Sequence, residues 1–189
     1  MQKTFLPSAI AQFQYYKLLG EKTFAQLTNE QLFWQYNEES NSIAIVVKHM
    51  VGNMLSRWTD FLTTDGEKEW RNRESEFEND IITRDELLAL WNKGWQCLFD
   101  ALASITEDDV VREIFIRNQG HMIAEAIHRQ LAHYPYHVGQ IVFLGKMLCN
   151  TNWHSLSIPR GNSKKFNEEK FGKPKHTEHF TDEYINKKK

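Results

Sequence analysis

The sequence predicts an all-α protein: a four-helix bundle with a long crossover between its second and third helices, followed by an extended C-terminal tail. Three observations carry this reading. Four stretches place apolar residues at three- and four-residue spacing, the period of an amphipathic helix. Two Thr-led capping boxes, Thr28 with Gln31 and Thr83 with Glu86, mark helix starts. The charged, irregular run at 67–82 (EKEWRNRESEFENDII) is longer than a link between neighbouring helices needs. It suits a crossover that lets two successive helices run parallel.

The first helix is predicted from Ser8 to Gln26, with Ile10, Phe13, Leu18, Phe24 and Leu27 along or near one side and a weak point at Gly20. The Thr28 box then opens a short extra helix carrying Leu32 and Phe33. The second main helix is predicted from Ser42, a plausible N-cap, to Leu62, before the Asp65-Gly66 turn signal. Ile43, Val47, Met50, Met54, Trp58 and Phe61 form its stripe. The third starts at Thr83 and turns Leu88, Trp91, Trp95, Leu98 and Leu102 inward. Around 112–120, REIFIR alternates polar and apolar residues and Asn118-Gln119-Gly120 offers a turn, so a short extended piece fits. The fourth helix is predicted from Met122 to Leu148, with Pro135 inside it and a kink or bulge expected there. The domain expectation is a bundle over 1–150 and an extended tail over 151–189. Trp153, Leu156, Ile158 and Phe166 would pin the tail, and its lysine-rich end would be mobile.

The totals agree with a globular chain. It has 189 residues, 41% hydrophobic and 13% aromatic, enough for one domain with a real core. A net charge of -2 gives no general push toward nucleic acid or acidic lipid. Residues 160–189 carry nine Lys/Arg against five Asp/Glu, which reads as a solvated segment because no aromatic RNA-binding signature accompanies it. Cys97 and Cys149 form no Cys-x-x-Cys pair, which argues against a zinc knuckle or dithiol motif. The start, MQKTFLPSAIAQFQYY, lacks the apolar core of a signal peptide, and no apolar run approaches the roughly 20 residues of a membrane span. With few cysteines, this predicts a cytoplasmic protein with no nucleic-acid or membrane partner.

The histidines carry the chemistry. His133 and His137 are four apart on a predicted helix, so both rings fall on one side, one turn apart. Such a pair can chelate one ion through imidazole nitrogens. The competing reading is two half-buried histidines satisfied by nearby carbonyls or water. His49 lies beside the apolar arc of the second helix; a lone helical His is more often structural, but bundle sites are assembled from facing helices. His121 and His128 project to another side, and His154, His176 and His179 lie in the tail.

Two motifs around these residues resemble a known family. AHYPYHVGQI, with His133, His137, Gly139 and Gln140, is similar to the fourth-helix motif of DinB-like bundle proteins, and VVKHMVGN, with His49, to their second-helix motif. The stretches Gly52–Glu78 and Leu156–Asn167 resemble a branch of that family with no assigned function, so the likeness runs from residue 1 to about 167. Pro135 departs from the pattern. The resemblance implies a four-helix bundle with a long crossover and a site for nickel, zinc or a similar divalent ion on His49, His133 and His137. It also implies a homodimer. Some relatives transfer low-molecular-weight thiols such as bacillithiol, mycothiol or glutathione to electrophiles, and others isomerise maleylpyruvate with a thiol cofactor.

Three neutral imidazoles would leave an ion its full charge and an open position. With the resemblance, the expected function is a metal-dependent transferase that activates a small thiol. A metal-holding module without turnover is the alternative. A metallohydrolase lacks an obvious general base; Glu125 is the best substitute. Gln140 and Asn53 could orient a ligand or substrate around the ion, against the equally weighted reading of polar residues bonded to the nearest backbone. Arg57, with Arg71 and Arg73, offers a clamp for a carboxylate, against the blander reading of surface ion pairs with nearby Glu residues. Cys97 and Cys149 read as small core residues.

Overall fold

The computed structural model describes residues 4–185. Over that range the chain is mostly helical, with four long helices: α1 (Phe5–Phe24), α3 (Ile43–Trp58), α4 (Arg84–Ala103) and α5 (Ile123–Cys149). Three short ones, α2 (Asn29–Phe33), α6 (Ser163–Phe171) and α7 (Asp182–Ile185), complete the helices. One antiparallel hairpin joins β1 (Glu113–Ile116) to β2 (Gln119–Met122).

Local chemistry sets the boundaries. Thr28 and Thr83 open α2 and α4 with capping boxes, and Ser42 Oγ caps α3 by accepting from Ile45 N at 3.1 Å. Helix α1 starts at Phe5, ahead of the expected Ser8, because its cap comes from far away in sequence. Glu107 accepts from Thr4 Oγ1 and from the Phe5 and Leu6 amides at 3.0–3.1 Å, placing a carboxylate on the helix N-terminus. Helix α3 stops at Trp58, short of Leu62, where the chain turns through Asp60 at a left-handed φ of 46°. Helix α5 is continuous through Pro135. Buried Tyr134 and Val138 flank the proline and anchor that turn to the core.

Packing contacts fix the helix directions. Gly94 lies so close to α3 that a Cβ there would sit 2.9 Å from Val51, while Cys97 reaches Thr59, so α3 and α4 run parallel. Phe5 meets His128 and Phe13 meets Tyr134, so α1 and α5 also run parallel. Phe13 on Trp95 and Phe24 on Trp91 set α1 against the direction of α4. The segment 59–83 is therefore a crossover between two parallel helices. Phe13, Phe24, Met50, Trp91, Trp95 and Tyr134 sit fully buried in one apolar cluster shared by the long helices.

The hairpin turn is one residue earlier than expected: Arg117 and Asn118, both at positive φ (55° and 58°), with Gln119 and Gly120 already in β2. Two successive positive φ values belong to the primed turns that match strand twist. Asp65 holds this turn, its two carboxylate oxygens accepting from the Arg117 and Asn118 amides at 2.8 Å each.

The tail is not extended as expected. It carries α6 and α7, and α6 buries no residue, so it has no apolar stripe for periodicity to reveal. Trp153 packs against the apolar cluster, and Leu156, Ile158 and Phe166 are half-buried. His179 Nε2 lies 2.9 Å from Ser8 Oγ, and the Tyr15 ring on α1 meets Phe180 and Tyr184. The lysine-rich end expected to be mobile, Lys187–Lys189, lies outside the described residues. No helix among the described residues is long and apolar enough to cross a membrane.

Candidate metal centre

The antiparallel docking of α3 on α5 places His49 opposite His133 and His137. Their ring centroids are 5.7 and 4.9 Å from that of His49, and 4.7 Å from each other. Among the described residues this is the one group of three His, Cys, Asp or Glu side chains whose ligand atoms all lie within 4.8 Å of one another. The Nε2 atoms of His133 and His137 are 3.0 Å apart. Two donors sharing one ion at about 2.1 Å each are separated by at most about 4.2 Å, so this pair fits shared coordination.

The other ring nitrogens are all taken. His49 Nδ1 donates to Glu76 Oε2 at 2.9 Å. Gln130 Oε1 accepts from His133 Nδ1 at 3.2 Å, and Gln140 Oε1 from His137 Nδ1 at 2.9 Å. A carboxylate only accepts, so His49 carries a proton on Nδ1, and Nε2 is the atom left for a ligand. The Gln130 and Gln140 oxygens select Nδ1–H at the other two rings in the same way. The three Nε2 atoms are therefore the ones left to share an ion. Burial lowers the pKa of His133 to about 4, helped by neighbouring His137, His49 and nearby arginines, and burial lowers His137 as well. Both shifts favour the neutral ring, the state a metal ligand requires.

Glu76 is the anchor that sequence reasoning missed. It sits in the irregular crossover, in a 3-10 turn at Glu74–Phe77, and is 5% exposed. Arg71 grips it bidentately, Nε to Oε1 at 2.7 Å and Nη2 to Oε2 at 3.1 Å. Burial alone would raise the Glu76 pKa, but hydrogen bonds from His49 and Arg71 outweigh it and the net shift is downward. Gly52 makes the room: a Cβ there would lie 2.1 Å from Glu76 Oε1. Gln130 was also missed, although its place three before His133 mirrors Gln140 three after His137.

The other expected residues divide. Gln140 supports His137 directly. Asn53 does not reach a ring; its Oδ1 accepts from Tyr134 Oη at 3.1 Å, and it lines a cavity beside the histidines. Arg57 is held by the Gly66 carbonyl and by Glu67 Oε2. Arg71 is buried on Glu76, and exposed Arg73 packs over the Phe77 ring. Glu125 caps α5 by accepting from Met122 N at 2.8 Å, so it is not placed as a general base. Cys97 and Cys149 lie against Thr59 and the Gln26 carbonyl, away from the histidines. His128 packs on Phe5, and exposed His176 bonds Glu178.

Fold and site together define a mostly helical protein with a three-histidine cluster between two of its long helices. Residues 1–162 match the family model described as "Protein of unknown function (DUF1572)", and the chain belongs to that family. No curated protein and no solved structure matches it.

Proposed function

We propose that this protein is a DinB-like four-helix bundle that holds one divalent ion, nickel or zinc, on Nε2 of His49, His133 and His137, and uses it to transfer a small thiol to an electrophile. The observation that supports the reading is the cluster of three imidazoles, each with an acceptor on Nδ1 that leaves Nε2 for an ion. That donor set fits a divalent ion of the nitrogen-preferring class and leaves coordination positions open. When bound, such an ion supplies Lewis acidity and lowers the pKa of a thiol or water beside it.

The chain's own residues do the rest. Glu76, Gln130 and Gln140 hold the rings in one tautomer and one orientation. His49 stacks on Phe77, which closes one side of the centre. Neither Cys97 nor Cys149 belongs to the histidine cluster, so in this reading the thiol is a small co-substrate. Its S–H proton is released, a sulfur–carbon bond forms, and the bond from that carbon to the leaving group breaks with its electron pair. A homodimer, implied by the family resemblance, belongs to the same reading.

Elemental analysis tests the metal step. One ion per chain is expected, lost in His49→Ala and in the His133→Ala/His137→Ala double variant with helix content retained by circular dichroism. His128→Ala and His176→Ala should keep it. Full occupancy in the double variant overturns the reading. A panel of thiols and electrophiles, run on loaded and stripped protein, tests the transfer: turnover only when loaded supports it, and a metal-loaded protein silent across the panel favours a binding module.

A further inference from the structure

A cavity of about 250 Å³ opens beside the three histidines, with His49 and His133 on its wall. Five arginines from four parts of the chain converge on it: Arg57 from α3, Arg71 and Arg73 from the crossover, Arg117 from the hairpin turn and Arg129 from α5. The remaining lining residues are Asn53 and Gln130, so no apolar side chain faces the space.

Ion pairing with nearby glutamates, the bland account of such a cluster, does not use up this charge. Glu67 is shared by three guanidiniums, Arg57 and Arg117 at 3.1 Å and Arg71 at 3.5 Å. Glu76 is spent on Arg71 and His49. Arg73 reaches only Glu74, at 3.7 Å, a pair whose acidic side chain is 90% exposed. Arg129 has no ion pair among the described residues. In ion pairs, five guanidiniums therefore meet three carboxylates, one of them out in solvent, and Asp65 adds a fourth charge that acts on Arg57 from beside the hairpin turn. The arrangement is also layered: Arg57 and Arg71 are buried and tied down, while Arg73, Arg117 and Arg129 are exposed at the mouth. Arg117 is held there with a left-handed backbone, which a non-glycine residue seldom adopts. Asp65 keeps it in place by binding the turn amides, not the guanidinium.

Like charges brought together at a wall without apolar surface make a receptor for anionic oxygen. We infer that the cavity binds a small, polar molecule carrying at least two negative charges on carboxylate or phosphoryl oxygens, gripped by Arg73, Arg117 and Arg129. This names the substrate class of the site above and rests on that reading for any reaction at the histidines. The grip itself comes from the arginines and does not need the ion. Apolar electrophiles and uncharged sugars find no wall suited to them here.

Calorimetric titration of metal-stripped and zinc-loaded protein decides it, with succinate, inorganic phosphate, acetate and the uncharged succinamide as probes. Succinate or phosphate should bind to both forms, more tightly than acetate, and weaken as salt rises. Preference for succinate assigns carboxylates, and preference for phosphate assigns a phosphoryl group. Arg117→Gln/Arg129→Gln should lose about tenfold or more in affinity, the scale of a lost charge-assisted contact, while keeping stoichiometric zinc. Dianion binding without zinc binding would sink the metal reading and leave this one standing. Equal binding of succinate and succinamide, or unchanged affinity in the double arginine variant, would overturn it.

Discussion

Tyr134 and Asn53 tie α5 to α3: the buried phenol donates to Asn53 Oδ1 at 3.1 Å and accepts from Trp58 Nε1 at 3.1 Å. Tyr134 follows His133 directly, and Asn53 is one turn after His49. This chain of hydrogen bonds therefore sets the register in which the three histidines meet. Burial raises the pKa of the phenol, so it stays a neutral donor.

Tyr134→Phe keeps the ring and removes the link. The Trp58 indole and the Asn53 carbonyl are left without this partner in a buried place, which costs about 1–3 kcal/mol. Urea denaturation should show a lower midpoint with an unchanged slope. An unchanged midpoint would mean that water replaces the phenol at no cost.

Gly52→Ala probes the Glu76 anchor. Alanine is the better helix former, so α3 should not be weakened locally. Its methyl would sit 2.1 Å from Glu76 Oε1 and 2.6 Å from Cδ, so the carboxylate must shift, which perturbs its bonds to Arg71 and His49. Loss of such a supporting partner typically lowers metal affinity by about 10–100-fold. Competition with a chromogenic chelator measures it. Wild-type affinity in the variant would show that Glu76 does not orient His49.

Gly139→Ala should do the opposite. Gly139 is exposed in the middle of α5, and nothing lies within 4 Å of where its Cβ would stand. Only the helix-propensity term remains, a stabilisation of about 0.8–1 kcal/mol. Denaturation of the metal-free protein checks it. A destabilised variant would show that this helix face is covered in solution.

These residues also show what the sequence made legible. His133 and His137 stand out by their spacing, whereas His49, a lone helical histidine, is singled out by the family resemblance of its motif. Glu76 does not stand out, because it acts from an irregular segment 27 residues beyond His49 and reaches the ring only after Gly52 clears the space. Periodicity finds buried stripes, so it located α3, α4 and α5 but not α6, which buries nothing. It also misplaced the start of α1, whose cap, Glu107, lies about a hundred residues away. The arginine cavity was half visible: Arg57, Arg71 and Arg73 stood close in sequence, but only the fold brings Arg117 and Arg129 to them.

Asp65 offers a test of the hairpin that carries Arg117. Burial pushes its pKa up, but the amides of Asn118, Glu67 and Arg117 pull harder and the net shift is downward. A folded-state pKa below the unfolded value, about 3.9, means that the charged carboxylate stabilises the fold. That contribution is fully present above the unfolded value and is lost as pH falls through the folded one. Asp65→Asn removes the charge at every pH. The melting temperature of wild type should therefore exceed that of the variant at pH 7, and the gap should narrow as pH drops below about 4. Measuring both proteins without metal keeps the histidine site out of the comparison. A gap that stays constant down to acid pH would show that the Asp65 charge does not hold the Arg117–Asn118 turn.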